Sequence, residues 1–133
     1  MELDFEVDND GQMFTVLIFD RLGWVVKVPK GNVIKHKDLK RISSLQTEIA
    51  RQVDGVLPCW LVNGVLVMPK ADGIRADYLA KPERERAKHL KDVKKREIER
   101  LGFWGVEASW KNTIYNPGED KVYLVDFHRI ERR

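Results

Sequence analysis

The stretch Asn112–Phe127, NTIYNPGEDKVYLVDF, decides how the second half of this 133-residue chain is read. Thr113-Ile114-Tyr115 and Val122–Phe127 are rich in β-branched and aromatic residues, and Asn116-Pro117-Gly118 between them is turn chemistry. The spacing predicts a hairpin of two short strands. The second strand raises a question at its far end. Val122, Leu124 and Val125 suit a buried strand, yet it runs directly into the carboxylate of Asp126, followed by Phe127.

Upstream of this hairpin lies GFWGVEASWKN (102–112), and before that a highly charged segment. Pro82 and Glu83 form a helix first-turn signature, and residues 83–101 offer a narrow apolar stripe of Ala87, Leu90, Ile98 and Leu101. Residues 83–100 carry eight Lys/Arg against five Asp/Glu, a local excess of +3 that equals the net charge of the chain. The pI of about 9.0 therefore describes one helix. Acids alternate with bases along it, as in Asp92 and Arg96 at i, i+4, which is the pattern of a solvated face.

The first half reads as sheet, helix, sheet. Residues 2–8 alternate apolar and acidic, 13–19 and 24–29 are β-rich, and NDG (9–11) and DRLG (20–23) supply the turns. From Lys37 the period changes. Leu39, Ile42, Leu45, Ile49 and Val53 mark an amphipathic helix that Asp38 is placed to cap and Gly55 to close. Segments 56–63 and 65–69 flank Asn63-Gly64, a strong hairpin signal, and KADG (70–73) is a connector. The fold class is α+β: a five-stranded antiparallel sheet with one helix over residues 1–73, then a reduced helical part with a β-hairpin over 74–133, in one compact domain.

Composition removes several classes of function. The 43% hydrophobic and 34% charged residues are a globular balance, not a disordered one. The longest apolar run, 56–69, is broken by Pro58, Asn63 and Gly64 and is unsuited to spanning a bilayer. An acidic start without a leader and a single cysteine, Cys59, lead us to expect a cytoplasmic protein with no internal disulfide. His36, His89 and His128 are scattered and have no cysteine cluster beside them, so a zinc site is not expected.

Two polar residues gain meaning from their order. Lys27 interrupts the apolar strand 24–28, and Glu48 follows 21 positions later (48 − 27) on the helix. Then come a strand pair, a connector, and Asn112 followed 14 positions later (126 − 112) by Asp126-Phe127. In this order of parts the chain resembles the protein-kinase-like superfamily, including small and atypical members such as RIO kinases and aminoglycoside phosphotransferases. The resemblance runs nearly end to end and is strongest over Asn112–Phe127. It implies a kinase-like N-lobe (1–73) and a truncated C-lobe (74–133) with Mg-ATP between them. Lys27 would contact phosphates and pair with Glu48, and Met68, Lys70 and Ala71 would bracket the adenine. Asn112 and Asp126 would hold Mg²⁺, and Glu107, at the catalytic base position, would act with Asp126 in catalysis. That would explain why a strand ends on a carboxylate: it aims Asp126 at a metal.

The chain departs from the family pattern in four respects. Glu107 and Gly105 replace the aspartate and histidine of the catalytic loop; the first loop, DNDGQM (8–13), has Gly11 alone among acids; His128 replaces the glycine after Asp-Phe; and seven residues follow Asp126 (133 − 126), with no activation segment. The expected activity is therefore phosphotransfer to a small acceptor or to the protein itself. The alternatives are a catalytically inactive, pseudokinase-type scaffold or a nucleic-acid or partner-binding module using the basic helix 83–101. In the latter, Phe103, Trp104 and Trp110 would be stacking surfaces, although the tryptophans read more readily as core. A homodimer burying the underside of that helix is also compatible with the sequence.

Overall fold

The structure is a computed structural model that describes residues 4–133. Strands β1 (Glu6–Asp8), β2 (Phe14–Phe19) and β3 (Trp24–Pro29) form an antiparallel meander, followed by helix α1 (His36–Ala50) and the hairpin β4 (Trp60–Val62) and β5 (Val65–Pro69). They make one five-stranded antiparallel sheet in the order β1-β2-β3-β5-β4. The hairpin turn is set by chemistry: Asn63 and Gly64 both have positive φ (48° and 79°), as a two-residue primed turn requires. Residues 1–3, the start of the expected first strand, lie outside the described residues.

Local sequence signals placed these elements well, with differences at their ends. Helix α1 stops at Ala50, not near Gly55, and residues 56–59 belong to no helix or strand. Asp38 caps the helix from its first turn, accepting the Lys35 amide at 3.3 Å and pairing with Arg41 at 2.6 Å. Gly55 serves a different purpose. A Cβ there would lie 2.5 Å from the Val122 carbonyl oxygen, because the second half docks against this point.

That second half holds β6 (Ile74–Arg75), helix α2 (Lys81–Arg100), β7 (Phe103–Trp104), β8 (Thr113–Asn116), β9 (Lys121–Leu124) and β10 (Glu131–Arg132). The expected hairpin is β8–β9, and β6 adds to its edge while β10 pairs with β7. Strands β6, β7 and β10 have two residues each, too short for a periodic signal in the sequence. The strand expected over 122–127 ends at Leu124. Asp126 is two residues past it, in an isolated bridge to Glu107.

A single core joins the two halves. Ile49, Leu66 and Met68 from the sheet side pack with Ile98, Phe103, Leu124, Phe127 and Ile130. A smaller cluster of Ala76, Leu79, Ala87, Tyr115 and Val122 lies between α2 and the hairpin. Of the expected α2 stripe, Ala87 and Ile98 are buried, Leu90 is half-buried and Leu101 is exposed. Phe103 is fully buried and Trp110 packs half-buried against the smaller cluster, as a core reading expects, whereas Trp104 is exposed. Among the described residues no helix is long and apolar enough to cross a membrane.

Candidate functional site

Lys27 lies on the face of β3 that looks toward the second half, in register with buried Leu66 on β5. Its ammonium crosses to that half and donates to the Val125 carbonyl at 2.9 Å. The next residue is Asp126. One of its carboxylate oxygens, Oδ2, accepts from Asn112 Nδ2 at 3.1 Å, and the other, Oδ1, accepts the His128 amide at 3.1 Å and lies 2.5 Å from His128 Nδ1. The structure therefore brings Lys27, Asn112 and Asp126 together from positions far apart in the chain.

The backbone fixes this arrangement. Asn112 ends a 3-10 turn (Trp110–Asn112), and its carbonyl accepts the Val125 amide at 3.2 Å. The Glu107 amide donates to the Asp126 carbonyl at 3.4 Å, completing a bracket around residues 125–126. Gly105 has φ +87°, and a Cβ there would sit 2.0 Å from the Arg129 carbonyl oxygen. Glycine at this position is thus a demand of the backbone crossing. At His128 no left-handed conformation is needed, since among the described non-glycine residues only Asn63 and Asp120 have positive φ. The imidazole takes up a carboxylate oxygen instead.

Two opposing effects act on Asp126. Burial, the largest, disfavours its charge; the contacts to His128 and the nearby Lys27 ammonium favour it, and together they hold the carboxyl below its usual range. Asp126 is accordingly ionised at neutral pH. The Asn112 side chain turns its Nδ2 hydrogen to the carboxylate, and its Oδ1 makes no hydrogen bond among the described residues. No group of three or more His, Cys, Asp or Glu that could hold a metal occurs among the described residues.

Other expected site residues are placed differently. Glu48 is paired with Arg132, and no ion pair between Glu48 and Lys27 occurs among the described residues. Glu48 instead borders an open groove of about 550 Å³ between α1 and β4, together with Lys40, Thr47, Arg51, Cys59 and Trp60. The polar residue that α1 buries, with Leu39, Ile42 and Ile49, is Gln46, which donates to the Leu57 carbonyl at 2.9 Å. Glu107 keeps its carboxylate 3.5 Å from Arg129 Nε. Met68 is buried beside Gln46, the Lys70 amide is spent on the Gly23 carbonyl at 2.8 Å, and the Lys70 ammonium pairs with Asp20. Within that connector the backbone amides and carbonyls of Ala71 and Asp72 make no hydrogen bond among the described residues. The loop around Gly11 is pinned by Lys30, whose ammonium meets the Asn9 and Gly11 carbonyls at 2.6 and 2.5 Å. Burial pushes the Cys59 thiol up to about 11, an unreactive group at neutral pH.

Sequence reasoning missed His128, Arg41 and Arg132. Arg41 donates to the carbonyls of His128 and Ile130 at 3.0 Å each, tying α1 to the segment that carries Asp126. The place of His128 two residues after Asp126 was a visible signal. The arginines had none, because their partners are carbonyls and a carboxylate more than 80 residues away. Comparison with models of known protein families and with curated proteins returned no match.

Proposed function

We propose that this is a kinase-like protein that binds Mg-ATP, with phosphotransfer to a small acceptor or to itself as its activity. One observation carries the reading: a strand lysine, an asparagine and a carboxylate, separated by 85 (112 − 27) and 14 (126 − 112) positions, converge at residues 125–126. In this reading Lys27 places a cation beside the phosphates, exchanging its bond to the Val125 carbonyl for phosphate oxygens. Asn112 and Asp126 hold Mg²⁺, which when bound neutralises phosphate charge. The backbone bracket from Glu107 and Asn112 keeps the Asp126 carboxylate oriented. The unpaired amide and carbonyl of Ala71 offer the hydrogen-bond edge for adenine, with Met68 and Lys70 flanking it. Glu107 is the candidate proton acceptor, its carboxylate held near Arg129.

A second reading, a nucleotide-binding scaffold without transferase activity, is favoured by two contacts. Glu48 is engaged by Arg132, and both Asp126 oxygens are engaged by His128 and Asn112. The deciding experiment is a thermal shift with ATP, with and without Mg²⁺, on the native protein, Lys27→Met and Asp126→Asn. At about 100 times the dissociation constant, binding adds ~2.7 kcal/mol, which for a chain of this size is on the order of 10 °C. A Mg²⁺-dependent shift in the native protein that both variants lose supports the nucleotide site. No shift at millimolar ATP rejects both readings. Mass spectrometry for phosphate incorporated into the protein or an added acceptor then separates transferase from scaffold.

A further inference from the structure

The five-stranded sheet has two faces, and only one is packed. On the inner face Leu66 and Met68 are buried under α1 and the second half. On the outer face a row in register across all five strands reads Val7, Leu17, Val26, Val67 and Trp60. The next row adds Phe19 beside Trp24. The Trp24 and Trp60 rings are 5.9 Å apart, and Phe5 and Phe19 are 5.3 Å apart. Neither row contains a charged side chain. Phe5, Val7 and Trp60 are 50%, 52% and 44% exposed, so nothing among the described residues covers this face.

An antiparallel sheet with one face in water ordinarily alternates apolar and polar side chains, and this one does not. Strand spacing of ~4.8 Å over five strands and about five residues of ~3.3 Å gives a footprint of roughly 400 Å². Side chains standing up from it, with the rim, bring the accessible area toward the ~600 Å² per partner of the smaller specific interfaces. We propose that this face is a homodimer interface, on which two copies of the chain stack sheet on sheet as a two-layered sandwich. A second copy fits because an uncharged face meets its own image without like-charge repulsion. The face is opposite the one that Lys27 occupies, so this inference stands apart from the nucleotide reading.

Sedimentation velocity on the full chain from about 1 to 300 μM tests it, alongside Val7→Lys and Trp60→Glu, both at exposed positions. The native protein should move from the 15.5 kDa of one chain toward twice that mass, and each variant should weaken the dimer at least ~10-fold. Unchanged thermal melts would establish that the variants still fold. A native protein that stays monomeric across the range overturns the proposal, as does a dimer that both folded variants leave undiminished. Flotation with neutral phosphatidylcholine vesicles covers the competing occupant: a monomer that floats with vesicles would assign the face to lipid and overturn it equally.

Discussion

The two halves of this molecule are stabilised in different ways. Residues 6–69 are joined by strands that are neighbours in the chain, β1 with β2, β2 with β3 and β4 with β5, and by one helix with a regular apolar period. Residues 74–133 depend on tight backbone crossings and on single side chains that reach across the fold. Gly73 and Gly105 pass within 2.3 and 2.0 Å, measured from a virtual Cβ, of the carbonyl oxygens of Tyr115 and Arg129. Regular structure tolerates change because each element has many equivalent contacts; a crossing has one geometry and no substitute.

Substitutions in the two halves can break or sharpen this contrast. Phe127→Ala should have the largest effect. Phe127 is fully buried in the joint core beside Asp126, and its loss should cost about 3–5 kcal/mol in chemical denaturation. An effect below ~1 kcal/mol would mean that the second half does not contribute to the shared core. Next is a pair of glycines. Gly105→Ala meets both a left-handed backbone and the Arg129 carbonyl and should cost roughly 2–5 kcal/mol. Gly64→Ala is in open space and should cost only about 1–2 kcal/mol for its positive φ. Equal costs would refute the distinction between crossing and turn.

A smaller effect is expected from pH. The folded carboxyl of Asp126 is held below its usual value of ~3.9, so its contribution to stability is present above that pH and is lost as pH falls through the folded pKa. Asp38, Asp54, Asp77 and Asp120 are lowered too, Asp120 to about 2 through Arg86 and Tyr115, and act in the same sense. The informative quantity is therefore the difference between native protein and Asp126→Asn, whose urea midpoints should converge as the pH drops from 5 to below 4. The smallest effect belongs to Arg132→Ala. Its pair with Glu48 is half exposed, and its loss should cost less than about 1 kcal/mol. A larger cost would raise the C-terminal strap from a surface contact to a fastening of α1.

Legibility followed the same division. The meander, α1 and the Asn63-Gly64 turn were readable because strand alternation, helical period and primed-turn chemistry act within a few residues. Asp126 was readable as an anomaly, a carboxylate directly after an apolar run. Its surroundings were not. The bond from Lys27 to a carbonyl, the histidine on its oxygen and the bracket from Glu107 join segments with no mutual signal in the chain. Glu48 illustrates the limit. Its place on α1 was correct, but whether it met Lys27 or Arg132 depended on how the helix was rotated over the sheet.

By itself, then, the sequence determined the α+β class, the order of most elements, and which polar residues interrupt apolar segments, since each follows from local periodicity and turn preference. Tertiary structure alone decided which of those residues meet, why Gly105 must be glycine, and that one face of the sheet is apolar and uncovered among the described residues. The physical reason is range. Backbone preferences are settled over a few residues, whereas side-chain partners and exposed faces are fixed only when distant segments pack into one core and exclude every other arrangement.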